Sequence, residues 1–434
     1  MQARPAGAMP LKPRAARVKM RSMSPLILFG AFDRHNLGDL LLGRIAAALA
    51  SSHAPARPML FAGAASRDLR SAGGMQVHAL DELIARWQRR SALDPPRAPP
   101  DLLQVGGEIL GCTAWEAAVM LEPAQRAAAL IAAHDRDHRG REAWARQHLG
   151  IRRALPYLAS KAQLPPGSRI AHAASGGVGF AQLPAASRRA ALTELRAATV
   201  LHVRDRRTQD TLAAAGIMAR LAPDPAVLAP HVLGTAIGQH AQAGEPAALR
   251  TRYPAGWIAV QVSAEFADDA TLDALAIGLD HLQRDTGLGL VLFCAGRAPW
   301  HDDPEVLDRL RMRLHEPADC TVATSTHPLD LCALLSGCTL CLASSLHARI
   351  VAEAFARPAA SLVQTSAQGD KLHAYLETWH ADALHLHAVT AAGPIGAAKA
   401  ALGEPVARRQ ARATQLATLA RAALERCFEA LEGA

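Results

Sequence analysis

A short apolar run, then glycine or a polar cluster, then an Ala/Leu-rich stretch with helical character recurs along most of this chain. That alternation is the signature of strand–helix units laid on a parallel sheet, so the expected class is α/β. The first half predicts strands over 26–29, 58–62, 102–105, 169–173, 200–203 and 220–222. The second half predicts them over 257–262, 288–294, 339–343 and 359–363.

At 434 residues the chain exceeds the size at which one hydrophobic core stops growing, and about 150 residues per domain suggests two or three domains. A stretch rich in Gly, Gln, Ala and Pro over 234–254 separates the two sets of strands. The expected division is a disordered basic leader (1–23), an N-terminal α/β domain (24–235), a linker (236–254), a C-terminal α/β domain holding a donor site (255–387), and helices packing back (388–434). In that last segment Leu416, Leu419, Ala423, Cys427, Phe428 and Leu431 share one helical face. Glu425, Glu429 and Glu432 among the Arg residues of the other face favour packing onto a domain over lying on a membrane. Charged or Pro-rich stretches over 86–100 and 134–148 read as surface insertions.

Composition narrows the function classes. The leader carries Lys and Arg but no acid, and the apolar stretch after it is too short for a signal-peptide core, so the expected location is the cytoplasm, with at most peripheral association at the inner membrane face. No segment approaches the ~18 apolar residues of a membrane span. The net charge is +8, but the positive charge is dispersed and aromatics are only 4%, which argues against nucleic acid and for an anionic small molecule. Seven scattered cysteines fit reduced thiols. Cys338 and Cys341 have metal-ligand spacing but lie in an apolar run without a second pair, so no metal site is expected.

In open α/β sheets ligands bind beyond the carboxyl ends of strands, which directs attention to four stretches. In the first, Asn36, Gly38 and Asp39 stand where a loop enters a helix; they can hold an anion, or Asp39 can cap the helix, which the spacing favours. The glycine pattern of dinucleotide sites is absent. In the second, Gly106 and Gly107 end a strand, allowing close approach of a ligand or a tight turn. In the third, a β-branched run delivers Arg204 and Asp205 to the sheet edge. Arg204 can fork onto a carboxylate or phosphate, or take part in an ion pair, and Asp224 further on can orient a basic residue or start a turn. In the fourth, an apolar strand ends in Ser344 and Ser345, with His347 and Arg349 in the helix that follows. A His at a helix N-terminus can meet an anionic ligand and carry a proton there.

In this order the stretches HNLGD (35–39), VGGE (105–108), SGGVG (175–179), VRDRRT (203–208), DPAV (224–227) and SSLHARIVAEAFARP (344–358), with Lys371 and Tyr375 beyond, resemble the polysaccharide pyruvyl transferase family. The resemblance spans roughly residues 26 to 380. It implies two Rossmann-like domains with mostly parallel sheets facing a cleft, similar to the glycosyltransferase type B arrangement. The implied activity moves a pyruvyl group from phosphoenolpyruvate, as co-substrate and without a cofactor, to a sugar hydroxyl pair as a ketal, in cell-surface or exopolysaccharide synthesis. The implied partner is a glycan or lipid-linked sugar acceptor. Arg204 would bind the donor's carboxylate or phosphate, with Ser344, Ser345, Arg349 and Lys371 as further anion contacts. His347 would be the acid and Asp39 the base. Members that bind phosphoenolpyruvate often place an Arg two residues before this His, where this chain has Ser345. The rival readings are a nucleotide-sugar glycosyltransferase using the same cleft and a non-catalytic member that binds a phosphorylated metabolite or a partner.

Overall fold

The computed structural model describes residues 24–93, 98–134, 136–153, 155–364, 370–380 and 385–433. The basic leader, and parts of the stretches read as insertions, lie outside the described residues.

Two sheets organise the chain. The first contains β1 (Leu26–Phe29), β2 (Met59–Gly63), β3 (Arg67–Asp68), β4 (Gln76–Ala79), β5 (Asp101–Gln104), β6 (Gly107–Glu108), β7 (Ile170–Gly176), β8 (Val200–Val203) and β9 (Arg220–Leu221). Its order is β3-β4-β2-β1-β5-β7-β8-β9, with β6 also on β7, and only the β3–β4 pair is antiparallel. The second contains β10 (Trp257–Gln261), β11 (Gly289–Leu292), β12 (Cys320–Val322), β13 (Leu340–Ala343), β14 (Ala359–Val363) and β15 (Leu386–Ala388). It is parallel throughout, in the order β12-β11-β10-β13-β14-β15. Numbered from β10, this is the 3-2-1-4-5-6 order of a doubly wound sheet. The expected α/β class with mostly parallel sheets is what the chain adopts.

The central strands are apolar because helices cover both faces: β1, β5, β10 and β13 are buried along their whole length. Each fully buried Leu, Ile or Phe on them contributes roughly 1.5–3 kcal/mol. All ten expected strands are present. The expectation missed β3 and β6, two residues each, the edge strands β12 and β15, and β4.

The stretch assigned to a linker is helical, forming Ala229–Ala241 and Gly244–Arg252. Pro230 and Pro246 stand in first turns, where a missing N–H costs nothing, so their presence does not break these helices. The long Val406–Glu432 helix crosses back to pack on β7 and the Pro225–Leu228 turn. Leu416, Ala423, Cys427, Phe428 and Leu431 of its expected apolar face are buried, whereas Leu419 is exposed.

The halves are joined by more than the chain. One hydrophobic core contains Leu37, Leu40 and Leu41 of the first half together with Leu346 and Ile350 of the second. Main-chain bonds run from Leu37 N to Ala295 O (2.7 Å) and from Arg297 N to His35 O (3.1 Å). The Asp370–Trp379 helix clamps the other side, with Trp379 Nε1 donating to Arg204 O (2.8 Å) and Arg206 N to Thr378 Oγ1 (3.0 Å).

Candidate active site

Each sheet has a crevice where connections leave in opposite directions, between β1 and β5 in the first and between β10 and β13 in the second. The loops beyond these strand ends meet around one cavity of about 120 Å³. Arg34, Asn36, Asp39, Glu108 and Arg204 enter from the first half, and Gln261, Trp300, His301, Asp302, Ser344, Ser345, His347 and Lys371 from the second.

After β1 the chain turns into the Leu37–His53 helix, and the cap is Asn36, whose Oδ1 accepts from Gly38 N (3.0 Å) and Asp39 N (3.3 Å). This corrects the capping expectation for Asp39. One turn inside, its carboxylate accepts from Arg34 Nε at 3.1 Å, and both side chains are nearly buried. Gly38 and Gly107 serve this arrangement: a Cβ on Gly38 would stand 2.0 Å from His347 Nδ1, and one on Gly107 would stand 3.1 Å from Asp39 Oδ1. Gly106 does not reach the cavity. It packs against Ala173 O and Leu42, and with Gly107 it turns the chain at positive φ (104° and 85°) so that β6 presents Glu108.

Arg204 leaves β8 fully buried between two carboxylates, donating from Nη2 to Glu108 (2.6 Å) and from Nη1 to Asp224 (3.0 Å). Burial alone would push its pKa down, but Glu108, Asp224 and Asp205 hold it above the ordinary arginine value. Each terminal nitrogen of Arg204, expected to fork onto the donor, thus meets a carboxylate of the protein. Asp205 caps the Arg206–Ala214 helix instead of pairing with Arg204. Asp224 fills both roles left open for it, since one oxygen accepts from Ala226 N in a turn (3.0 Å) and the other lies 3.2 Å from His347 Nε2. Although burial pushes its carboxyl up, His347 and Arg204 hold it well below the usual range.

His347 therefore stands in a chain of Arg204, Asp224 and imidazole. Asp224 takes Nε2 and leaves Nδ1 without a protein partner among the described residues, beside Gly38 in the cavity wall. The serines before it are occupied. Ser345 Oγ accepts from Ala348 N (3.3 Å) and caps the Leu346–Ala354 helix, while Ser344 Oγ accepts from Ser263 N (3.0 Å). Gln261 Oε1 accepts from Ser345 N at 2.7 Å. Arg349 does not belong to the cavity. It is buried behind the helix, donating to Glu353 (3.1 Å), Ser361 (3.2 Å) and His385 O (3.3 Å).

Lys371 reaches the cavity from the Asp370–Trp379 helix, and its ammonium has no hydrogen-bond partner among the described residues. Its side chain is exposed to solvent, and partial desolvation lowers its pKa. Opposite, Asp302 accepts from Gln261 Nε2 (2.7 Å) and from the Ala295 and Gly296 amides. Burial nevertheless pushes it up to about 7. Burial pushes His301 down to about 4, so it is neutral at pH 7.

Away from the cavity, His240, His327 and Asp330 bring three potential metal-ligand atoms within 4.8 Å. Each side chain is already used: His240 Nδ1 meets Asp330 at 2.6 Å, Asp330 accepts from Ser325 Oγ at 2.6 Å, and His327 Nδ1 caps Leu329 N at 3.2 Å. All seven cysteines are free and buried, including Cys338 and Cys341.

Two mostly parallel α/β sheets facing a charged cleft give a two-domain fold similar to the glycosyltransferase type B arrangement. Solved structures share this fold. The UDP-N-acetylglucosamine 2-epimerase from Rickettsia bellii matches at TM-score 0.52 and 11% identity, over 95% of this chain and 97% of that one. MnaA of S. aureus in a co-structure with UDP matches at 0.53 and 12%, over 94% and 96%. A putative UDP-N-acetylglucosamine 2-epimerase from Listeria monocytogenes matches at 0.51 and 14%, over 95% and 96%. No curated protein matches the sequence. Residues 136–365 match the polysaccharide pyruvyl transferase family, and the chain belongs to that family and is a transferase.

The sequence reading omitted Glu108 although it quoted the motif containing it. The signal was present, since an acid directly after a strand and two glycines obeys the same strand-end rule that selected Arg204.

Proposed function

We propose that the cleft transfers the pyruvyl group of phosphoenolpyruvate to two hydroxyls of one sugar, forming a ketal during cell-surface or exopolysaccharide synthesis. The observation that carries the reading is the pairing, around one cavity, of a Lys371 ammonium that has no hydrogen-bond partner among the described residues with a His347 ring held at Nε2 by Asp224. The ammonium suits a phosphate or carboxylate as a point charge.

In this mechanism protonated His347 gives its proton from Nδ1 to the methylene carbon of the donor, leaving a cationic C2. One sugar hydroxyl attacks C2 and passes its proton to Asp39. The C2–O bond to phosphate then breaks, and the leaving phosphate takes that proton. The second hydroxyl closes the ketal and returns its proton to His347. Asp224 holds the ring, while Arg204 helps keep Asp224 ionised. Lys371 and the N-terminus of the Leu346–Ala354 helix stabilise the departing phosphate. The acceptor is a glycan or lipid-linked sugar, and the reaction belongs in the cytoplasm. No helix among the described residues is long and apolar enough to cross a membrane.

Isothermal titration with phosphoenolpyruvate, with UDP in parallel, tests the donor. Saturable binding of phosphoenolpyruvate is expected, weakened about tenfold or more in Lys371→Met, about 1.4 kcal/mol. Affinity should also fall as pH rises through the lowered Lys371 pKa, because the ammonium is lost there. Preference for UDP, or unchanged affinity in Lys371→Met, overturns the assignment.

A further inference from the structure

The four residues before Asp302 form a tight turn, closed by His301 N donating to Ala298 O at 3.0 Å. Pro299 takes its second position and Trp300 its third, at φ 65°. With proline second and a positive φ third, such a turn ordinarily has Gly or Asn where this one has Trp, because a side chain there crowds the backbone. The surroundings hold the turn in this form. Ala264 N donates to His301 O (2.8 Å), Asp302 N donates to Gly296 O (3.0 Å), and the buried Asp302 carboxylate ties down the Ala295 and Gly296 amides. A strained residue kept in place from several sides points to a use for its side chain.

That side chain is an indole lining the cavity while 46% exposed. Trp300 is the sole aromatic residue among the large exposed apolar side chains described. Among the described residues no ring or cation stacks on it. Ser263 and Glu265, flanking Ala264, whose amide donates to His301 O of this turn, line the same cavity and present hydroxyl and carboxylate groups. An apolar flat plate edged by hydrogen-bonding groups matches a pyranose, which has an apolar C–H face and a rim of hydroxyls.

We infer that Trp300 is the platform on which the acceptor sugar stacks, with Ser263 and Glu265 at its rim, presenting the sugar's hydroxyls to the donor beside His347 and Lys371. This rests on the proposed pyruvyl transfer only in calling the bound sugar the acceptor.

Saturation-transfer NMR with methyl β-glucoside, methyl β-galactoside, methyl β-mannoside, cellobiose and lactose tests the platform, using the full chain and its Trp300→Gly and Trp300→Phe variants. Glycine relieves the turn, so Trp300→Gly should melt at or above the temperature of the parent protein, which separates a lost platform from a lost fold. At least one sugar should receive saturation through its C–H face in the parent, fall at least tenfold in Trp300→Gly and recover in part in Trp300→Phe. Equal signals in Trp300→Gly, or no saturated sugar in the parent, overturn the inference. Phosphoenolpyruvate titrated into the same samples should bind the parent and Trp300→Gly alike. Its failure to bind the parent while a sugar still depends on Trp300 would remove the donor reading and leave the sugar platform.

Discussion

One helix, Leu346–Ala354, carries residues of two clusters that look alike on paper and differ in use. On its cleft side His347 meets the buried carboxylate of Asp224 at 3.2 Å, and Arg204 meets the same carboxylate at 3.0 Å. On its inner side Glu353 stands 3.1 Å from Arg349 Nε and 3.0 Å from His380 Nε2. In both clusters burial pushes the carboxyl up and a histidine and an arginine bring it well below its usual range. The difference is access. The His347 side chain keeps 14% of its surface open and lines the cavity, whereas that of His380 keeps none. The same triad of groups is thus a candidate proton donor where the ring lines the cleft cavity and stays partly exposed, and a tie between elements where the ring is fully buried. A depressed carboxyl alone does not mark a functional site; the free edge of the ring does.

The sharpest way to break this comparison is to remove each cluster in turn. His347→Ala should lower phosphate release from phosphoenolpyruvate, with a pool of methyl glycosides as acceptors, by about 10²–10⁴-fold. Its melting temperature should stay close to that of the parent, because Asp224 keeps Arg204. Full activity in this variant would end the acid assignment.

Glu353→Gln should do the reverse. Leaving Arg349 and His380 without their carboxylate should cost roughly 3–5 kcal/mol in denaturant unfolding, while phosphoenolpyruvate affinity of the folded fraction stays unchanged. The sign of the pH effect follows from the depressed carboxyl. Glu353 stabilises the folded state above the ordinary glutamate pKa, and that contribution is lost as pH falls through its lower folded value. The variant should therefore lose less stability on acidification than the parent. An acid limb as steep as that of the parent would mean that Glu353 does not supply it.

The contrast also explains what could be seen in the sequence. Central parallel strands are buried on both faces, so β1 and β13 appear as unbroken apolar runs, and the rule that ligands lie beyond the carboxyl ends of strands leads from β1, β8 and β13 to Asp39, Arg204 and His347. Two-residue strands such as β3 and β6 are too short for any period to register. Arg349 was grouped with His347 because the two are neighbours in sequence, yet two residues along a helix turn by about 200°, which points one side chain into the cleft and the other into the core. The pairing of Glu108 and Asp224 with Arg204 needs the tertiary structure for a different reason. Glu108 and Asp224 lie 96 and 20 residues away, and only the sheet order brings them to the same guanidinium. Asn36 takes the capping role expected of Asp39, and this leaves the Asp39 carboxylate to Arg34.

The smallest expected effect is also the finest probe of the boundary between the halves. Gly38 stands in the first turn of the Leu37–His53 helix, and nothing in its own half requires glycine there, since the nearest atoms to an added Cβ all belong to the His347 ring of the other half. In Gly38→Ala the methyl would sit 2.0 Å from Nδ1, so the ring must swing away or the halves must part slightly. A swung ring weakens its contact with Asp224 and moves Nδ1 from the cavity, and the rate should fall about tenfold with unfolding stability nearly unchanged. Parted halves would instead stretch the bonds from Leu37 to Ala295 and from Arg297 to His35, which amide hydrogen exchange at Leu37 and Arg297 would report. A lower rate with protected amides locates the defect in the histidine ring; unchanged rate and exchange together would show that the ring is not held by this contact.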